Sequence, residues 1–198
     1  MLKRSATAGF SLIELMITMT VMAVLLAAVA PSIGSWMVNT RQRSVAEAVL
    51  TGLQKARLEA IRRNQTVSFW LVASSDPTQF DATCAPSSTS GSWVISVAAP
   101  TGKCSNDPSV KVPEFFSFHA AGKSTSEITI SALDASSNAA SSLKFDALGV
   151  VVASGNPIRT IDFTTATDGA RRLRLLISHM GNVRLCDRDA TAPDPRTC

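Results

Sequence analysis

The chain has 198 residues, 45% of them hydrophobic and 17% charged, which suffices for one compact domain beside an N-terminal helix and leaves no room for a second. Its formal net charge is +4; all charges except Lys3, Arg4 and Glu14 follow Ala30, where the positive excess is too mild to imply nucleic acid by itself. Four cysteines without Cys-x-x-Cys spacing, and only two histidines, His119 and His179, give no indication of a metal site, and no cofactor is expected.

From Phe10 to Ala30 only Ser11, Glu14, Thr18 and Thr20 are polar. As a helix this run is ~30 Å long, one hydrocarbon thickness. Lys3 and Arg4 precede it, which puts the N-terminus on the cytoplasmic side and the rest of the chain across the membrane. Glu14 is costly there; it either snorkels to the headgroups or takes a positive partner from another chain. An ordinary secretory signal is cut after its apolar region, and Ala28-Val29-Ala30 offers such a site, but a glutamate within the apolar region fits that pattern poorly.

Gly9-Phe10-Ser11-Leu12-Ile13-Glu14-Leu15 resembles the class III signal of type IV pilins and pseudopilins. The resemblance implies that a prepilin peptidase cuts after Gly9 and methylates the new N-terminus at Phe10. It also implies that Glu14 pairs with the N-terminal amine of a neighbouring subunit during filament assembly.

Pro31 and Gly34 predict a hinge, with a kink or melted turn from Pro31 to Ser35. Trp36 is read either as an interfacial anchor or as packing under the body. Between Val38 and Arg63 the residues Val45, Val49, Leu53, Ala56 and Ala60 share one helical face, with Arg43/Glu47 and Lys55/Glu59 at i,i+4 and Asn64 as the C-terminal cap. After Asn64 the period changes to two. Strands are expected at Thr66–Ala73, Ser92–Ala98, Val110–Phe118, Glu127–Leu133, Leu143–Phe145, Val150–Ala153, Thr160–Thr165 and Arg172–His179. Turn-rich clusters at Ala85–Gly91, Thr101–Pro108 and Ala135–Ser142 separate them, and Ser136–Ser142 reads as a mobile loop. The fold class is α+β, a long helix with a membrane half and an amphipathic half packed on an antiparallel sheet domain. The divisions are residues 1–9 (cleaved leader), 10–30 (membrane and filament-core helix), 31–63 (amphipathic continuation) and 64–198 (β-rich periplasmic body).

All four cysteines lie on the exported side, where disulfides persist. Three pairings are open; Cys84–Cys104 and Cys186–Cys198 are favoured because each brackets a loop-rich segment. Alternation sends Arg172 and Arg174 to one face of a strand, and Arg171, Arg184, Arg188 and Arg196 complete a basic C-terminal region diluted by Asp187, Asp189 and Asp194. A helix-then-strands body ending in Gly181-Asn182-Val183-Arg184-Leu185-Cys186 and Cys198 resembles the GspH/FimT family of minor pilins and pseudopilins. That resemblance implies a structural subunit of a type IV pilus, in a tip complex that primes assembly, or of a type II secretion pseudopilus of the H type. Its partners would be other minor and major pilins or pseudopilins, the prepilin peptidase and, before assembly, the bacterial inner membrane, crossed once with the body in the periplasm. The stapled tail favours the pilus. Some family members bind DNA for natural transformation through Gly-Arg-x-Arg at this tail; here Asn182 replaces the first arginine. An enzyme is not expected, since His119 and His179 have no nucleophile motif, metal spacing or phosphate-binding loop beside them.

Overall fold

The computed structural model describes residues 10–104, 115–122, 127–167 and 169–198, and within the long helix gives side chains for 12–27 and 33–63. The expected leader through Gly9, the part of the expected strand from Val110 to Glu114, and residues 105–108 of a turn cluster lie outside them.

Helix α1 spans Leu12–Arg63. Ser11, in extended backbone, accepts the Glu14 N–H and caps its start; left-handed Asn64 (φ 51°) donates its N–H back to Ala60 and Ile61 and ends it. The melted turn expected from Pro31 to Ser35 is not formed, because α1 runs as one helix through Pro31 and Gly34. One proline withholds one helical donor, and the turns on either side keep theirs.

Among the described residues nine strands follow: β1 Val67–Ala73, β2 Ala85–Pro86, β3 Trp93–Ser96, β4 Phe115–His119, β5 Ile128–Leu133, β6 Ser142–Phe145, β7 Thr160–Thr165, β8 Leu173–Ile177 and β9 Val183–Asp187. They make two antiparallel sheets. In the first, β1 is central, with β3 and then β4 beyond it, and with β6 and β2 also paired to β1. The second has the order β5-β7-β8-β9. The fold is α+β: a long helix on antiparallel sheet.

One core joins all three layers. Val45, Ala46, Val49, Leu53, Ala56 and Ala60 of α1 are buried against Phe69, Ile95, Leu143 and Phe145 of the first sheet and Ile130, Ile161, Phe163 and Leu175 of the second. The helical period thus places one stripe of α1 under both sheets. A smaller cluster of Val72, Val94 and Phe115 gathers around the Cys84–Cys104 disulfide.

Several expectations need correction. Val150–Ala153 is a single bridge from Val151 to Phe145, not a strand: two bonds flank it, Asp146 N–H to Val150 O and Val152 N–H to Lys144 O, and the chain turns away at Ser154. Ser136–Ser142 is not a loose loop: the Asp134 carboxylate accepts the N–H groups of Ser136 and Asn138, Ala140 is buried, and Ser142 begins β6. Lys55 donates to Ser117 Oγ rather than to Glu59, whose carboxylate is held by Arg62 and Arg63. The Arg43–Glu47 pair is formed, at 2.7 Å.

Gly52 lies where the Trp93 and Phe69 rings cross α1; a Cβ there would come within 2.6 Å of Trp93. Trp93 is itself fixed by an Nε1 hydrogen bond to Ala48 O. Gly52→Val is therefore expected to cost ~1–3 kcal/mol by overpacking, read from urea unfolding. An unchanged midpoint would show that the ring has room to retreat.

Candidate functional site

Every described residue from Phe10 to Ala27 is exposed, Phe10 at 86%. Leu12, Ile13, Leu15, Met16, Ile17, Met19, Val21 and Met22 show apolar surface on all sides of the helix. That far exceeds the patch a soluble monomer leaves uncovered. The few polar groups are settled locally: Thr18 Oγ1 donates to Leu15 O and Thr20 Oγ1 to Met16 O, so neither hydroxyl needs water. Glu14 sits in the first helical turn, where free N–H groups and the helix dipole favour a negative charge. No ion pair to Glu14 is formed among the described residues. Among the described residues no helix is long and apolar enough to cross a membrane; side chains 28–32 of the sequence's apolar run are not among them.

Beyond Gly34, Trp36 is 67% exposed rather than packed beneath the body. It borders a cleft of about 430 Å³ together with Asn39, Arg43, Arg171, Asp187 and Arg196. Here the C-terminal tail reaches α1. The Cys186–Cys198 disulfide closes the tail, Thr197 bridges Asp187, and the Asp187 N–H donates to Arg196 O at 2.7 Å. The tail thereby covers part of the otherwise open edge of β9.

The six candidate DNA-binding arginines do not form one free basic face. Arg172 and Arg174 of the β8 segment pair with Asp189 and Asp162; Arg188 shares Asp162. Arg174 meets Asp162 through two parallel bonds of 2.6 and 2.7 Å, the bidentate geometry that suits a half-buried pair. Arg171 lies 3.9 Å from Asp187, and Arg196 pairs with Asp194. Arg184 donates to Thr197 O and Cys198 O, so it holds the tail. The electrostatics follow. Hydrogen bonding to the Asp189 side chain raises Arg172 above the ordinary arginine value, and hydrogen bonding to Arg172 lowers Asp189. The Arg196 side chain holds Asp194 at about 2.

His119 stacks on Trp93, and His179 Nδ1 accepts from Arg159. Among the described residues no group of His, Cys, Asp and Glu is placed to hold a metal.

Residues 45–181 match the family model described as type II transport protein GspH. The chain belongs to the GspH family. Residues 4–30 match the prokaryotic N-terminal methylation motif, which brackets Gly9, Phe10 and Glu14. Two crystal forms of the type IV minor pilin FimU of Pseudomonas aeruginosa PAO1 are similar in structure. One is 23% identical, covering 74% of this chain and 88% of that one, with TM-score 0.47. The other is 24% identical, covering 72% and 90%, with TM-score 0.42. No curated protein matches the sequence. The GspH family consists of structural pilin-like subunits.

In this member Gln42, Asp162 and the internal bond of Asn182 were not anticipated from the sequence. Gln42 is buried and donates to Phe163 O, tying α1 to β7; it falls in phase with Val45, Ala46 and Val49, which was the available signal. Asp162 is the shared counter-charge of two arginines, and only strand register brings it opposite Arg174. Asn182, which departs from the family's arginine motif, accepts from Arg57 of α1 at 3.0 Å.

Asp194 gives a clean test of the tail. Its folded value of about 2 lies below the ordinary ~3.9, so its contribution to the tail's own 194–197 turn is full above the ordinary value and is lost as pH falls through about 2. A carboxyl-carbon NMR titration is expected to place its midpoint at about 2 and to move it up toward the ordinary range in Arg196→Ala, where the backbone N–H bond remains. An unmoved midpoint in that variant would remove Arg196 as the cause.

Proposed function

We propose that this chain is a minor subunit of a type IV pilus, cut between Gly9 and Phe10, methylated at Phe10, and placed in a tip complex that primes assembly. Before assembly residues 10–30 anchor it in the bacterial inner membrane with the body in the periplasm. A secretion pseudopilus of the type that gives the family its description is the alternative setting for the same part.

The observation that carries this reading is the division of α1. Its second half is consumed by the body's core, whereas residues 12–27 of its first half show apolar surface on every side and pack on no other element among the described residues. Lipid and then neighbouring helices would cover it. Glu14 is then the registration point, its charge met by the N-terminal amine of the next subunit, and the stretch with Pro31 and Gly34 lets the anchor tilt relative to the body.

DNA uptake receives no support from the arginines, because all but Arg184 have a carboxylate within 4 Å and Arg184 is engaged by the tail. Phosphate contacts need cations that release counterions, and these are already compensated.

Two substitutions test the proposal separately. Gly9→Val is expected to leave the N-terminus uncut, seen as a mass retaining residues 1–9. Glu14→Ala is expected to leave cleavage intact and to lower incorporation into filaments by roughly tenfold or more, as loss of a desolvated charge pair would. Normal incorporation of Glu14→Ala would sink the pairing role; a normal mature mass for Gly9→Val would sink the cleavage site.

A further inference from the structure

The large apolar side chains left exposed on the body are few, and four of them lie at one end. Leu58 and Ile61 stand on the last turns of α1, Leu148 (79% exposed) at the tip of the 146–150 turn, and Met180 (63% exposed) at the tip of the 178–182 turn. The two turns abut each other and α1. A Cβ on Gly181 would lie 2.1 Å from Gly149 O, one on Gly149 would lie 2.8 Å from Ile61 Cδ1, and the Val151 N–H donates to His179 O.

Both tips are rigid. Asp146 Oδ1 accepts the N–H groups of Leu148 and Val150, and Ser178 Oγ accepts that of Asn182; Gly149 and Gly181 hold the positive φ their turns require. A floppy loop would bury its apolar residue, but these turns hold theirs out.

The charge at this end differs from that of the arginine pairs near Trp36. Arg57 is bonded to Asn182 and Arg159 to His179 Nδ1, and neither has a carboxylate partner among the described residues. Each also has a buried guanidinium N–H without an acceptor. The nearby acids are engaged: Asp146 within its own turn, Glu59 with Arg62 and Arg63.

We propose that this end of the body is a docking surface for another, non-identical subunit of the same filament, one presenting carboxylates around an apolar centre. This rests on the filament reading above. Four aliphatic knobs with two uncompensated arginines fit such a protein surface. Nucleic acid would ask for a track of free cations and stacking aromatics. A second copy docked through the same patch would set Arg57 and Arg159 against themselves.

The test places a benzophenone-bearing residue at position 180 of the full chain in filament-assembling cells, with ultraviolet cross-linking of intact filaments and mass mapping of the product. The expected product joins position 180 to a different subunit that carries an N-terminal methylation motif, at a surface containing Asp or Glu. Its yield should fall about tenfold with Leu148→Asp, an exposed change that keeps the fold, and also fall with Arg57→Gln. Four results overturn the docking surface: a product with a second copy, a product with nucleic acid, a yield indifferent to Leu148→Asp, or no product from filaments that contain the chain. The last would leave the filament reading standing. The expected product formed in membranes, with the chain absent from filaments, would instead overturn the filament reading and keep the surface as a contact between subunits.

Discussion

The structure depends on one packing relation, the burial of the α1 stripe from Val45 to Ala60 beneath both sheets. Neither sheet closes a core by itself. Phe69 and Phe145 from one and Phe163 and Leu175 from the other meet over small helix residues, Ala46, Ala56 and Ala60, which let the sheets come close. Gly52 extends the same logic by giving up its side chain to the Trp93 and Phe69 rings. Because the core uses only the second half of α1, the first half gains nothing from folding and keeps its apolar surface for a different environment. The division between a half buried in the body's core and an exposed apolar half thus arises within a single helix.

Charge is partitioned along the same axis. Near Trp36, Arg43, Arg171, Arg172 and Arg196 are matched by Glu47, Asp187, Asp189 and Asp194, while the stapled tail is held to β9 by the Cys186–Cys198 disulfide and the Asp187 N–H bond to Arg196 O. At the far end of α1, Arg57 and Arg159 have no carboxylate partner among the described residues and stand beside exposed aliphatic side chains. Compensated charges set the shape of the body, whereas uncompensated ones are available to a partner. Arg184 sits between the two roles and is used internally, on the tail carbonyls.

Elements with strong periodicity were legible in the sequence. The α1 stripe, the Asn64 cap and β7 follow directly from spacing and turn chemistry. The pilin-type N-terminus was legible because Gly9, Phe10 and Glu14 coincide with an apolar run, and the GspH/FimT family because a helix-then-strands body ends in Gly181-Asn182-Val183-Arg184-Leu185-Cys186 and Cys198. What stayed hidden depends on contacts far apart in sequence. The arginines looked like a basic region because Asp162 is brought to Arg174 only by the β7–β8 register. β9 read as a tail because its alternation is short and its partner is β8 across the Gly181 turn. The docking end was invisible for the same reason: Ile61 and the 146–150 and 178–182 turns meet only where Gly149 and Gly181 allow a close approach.

The central claim, that the exposed half of α1 is covered only by assembly, is tested most directly by thiol accessibility. Met19→Cys lies in the middle of that half, on a side chain exposed in the single chain. In subunits solubilised by a mild detergent it should react with a maleimide, and in isolated, detergent-free filaments it should be protected while Ser136→Cys on the body still reacts. Equal labelling of Met19→Cys and Ser136→Cys in filaments would contradict the account.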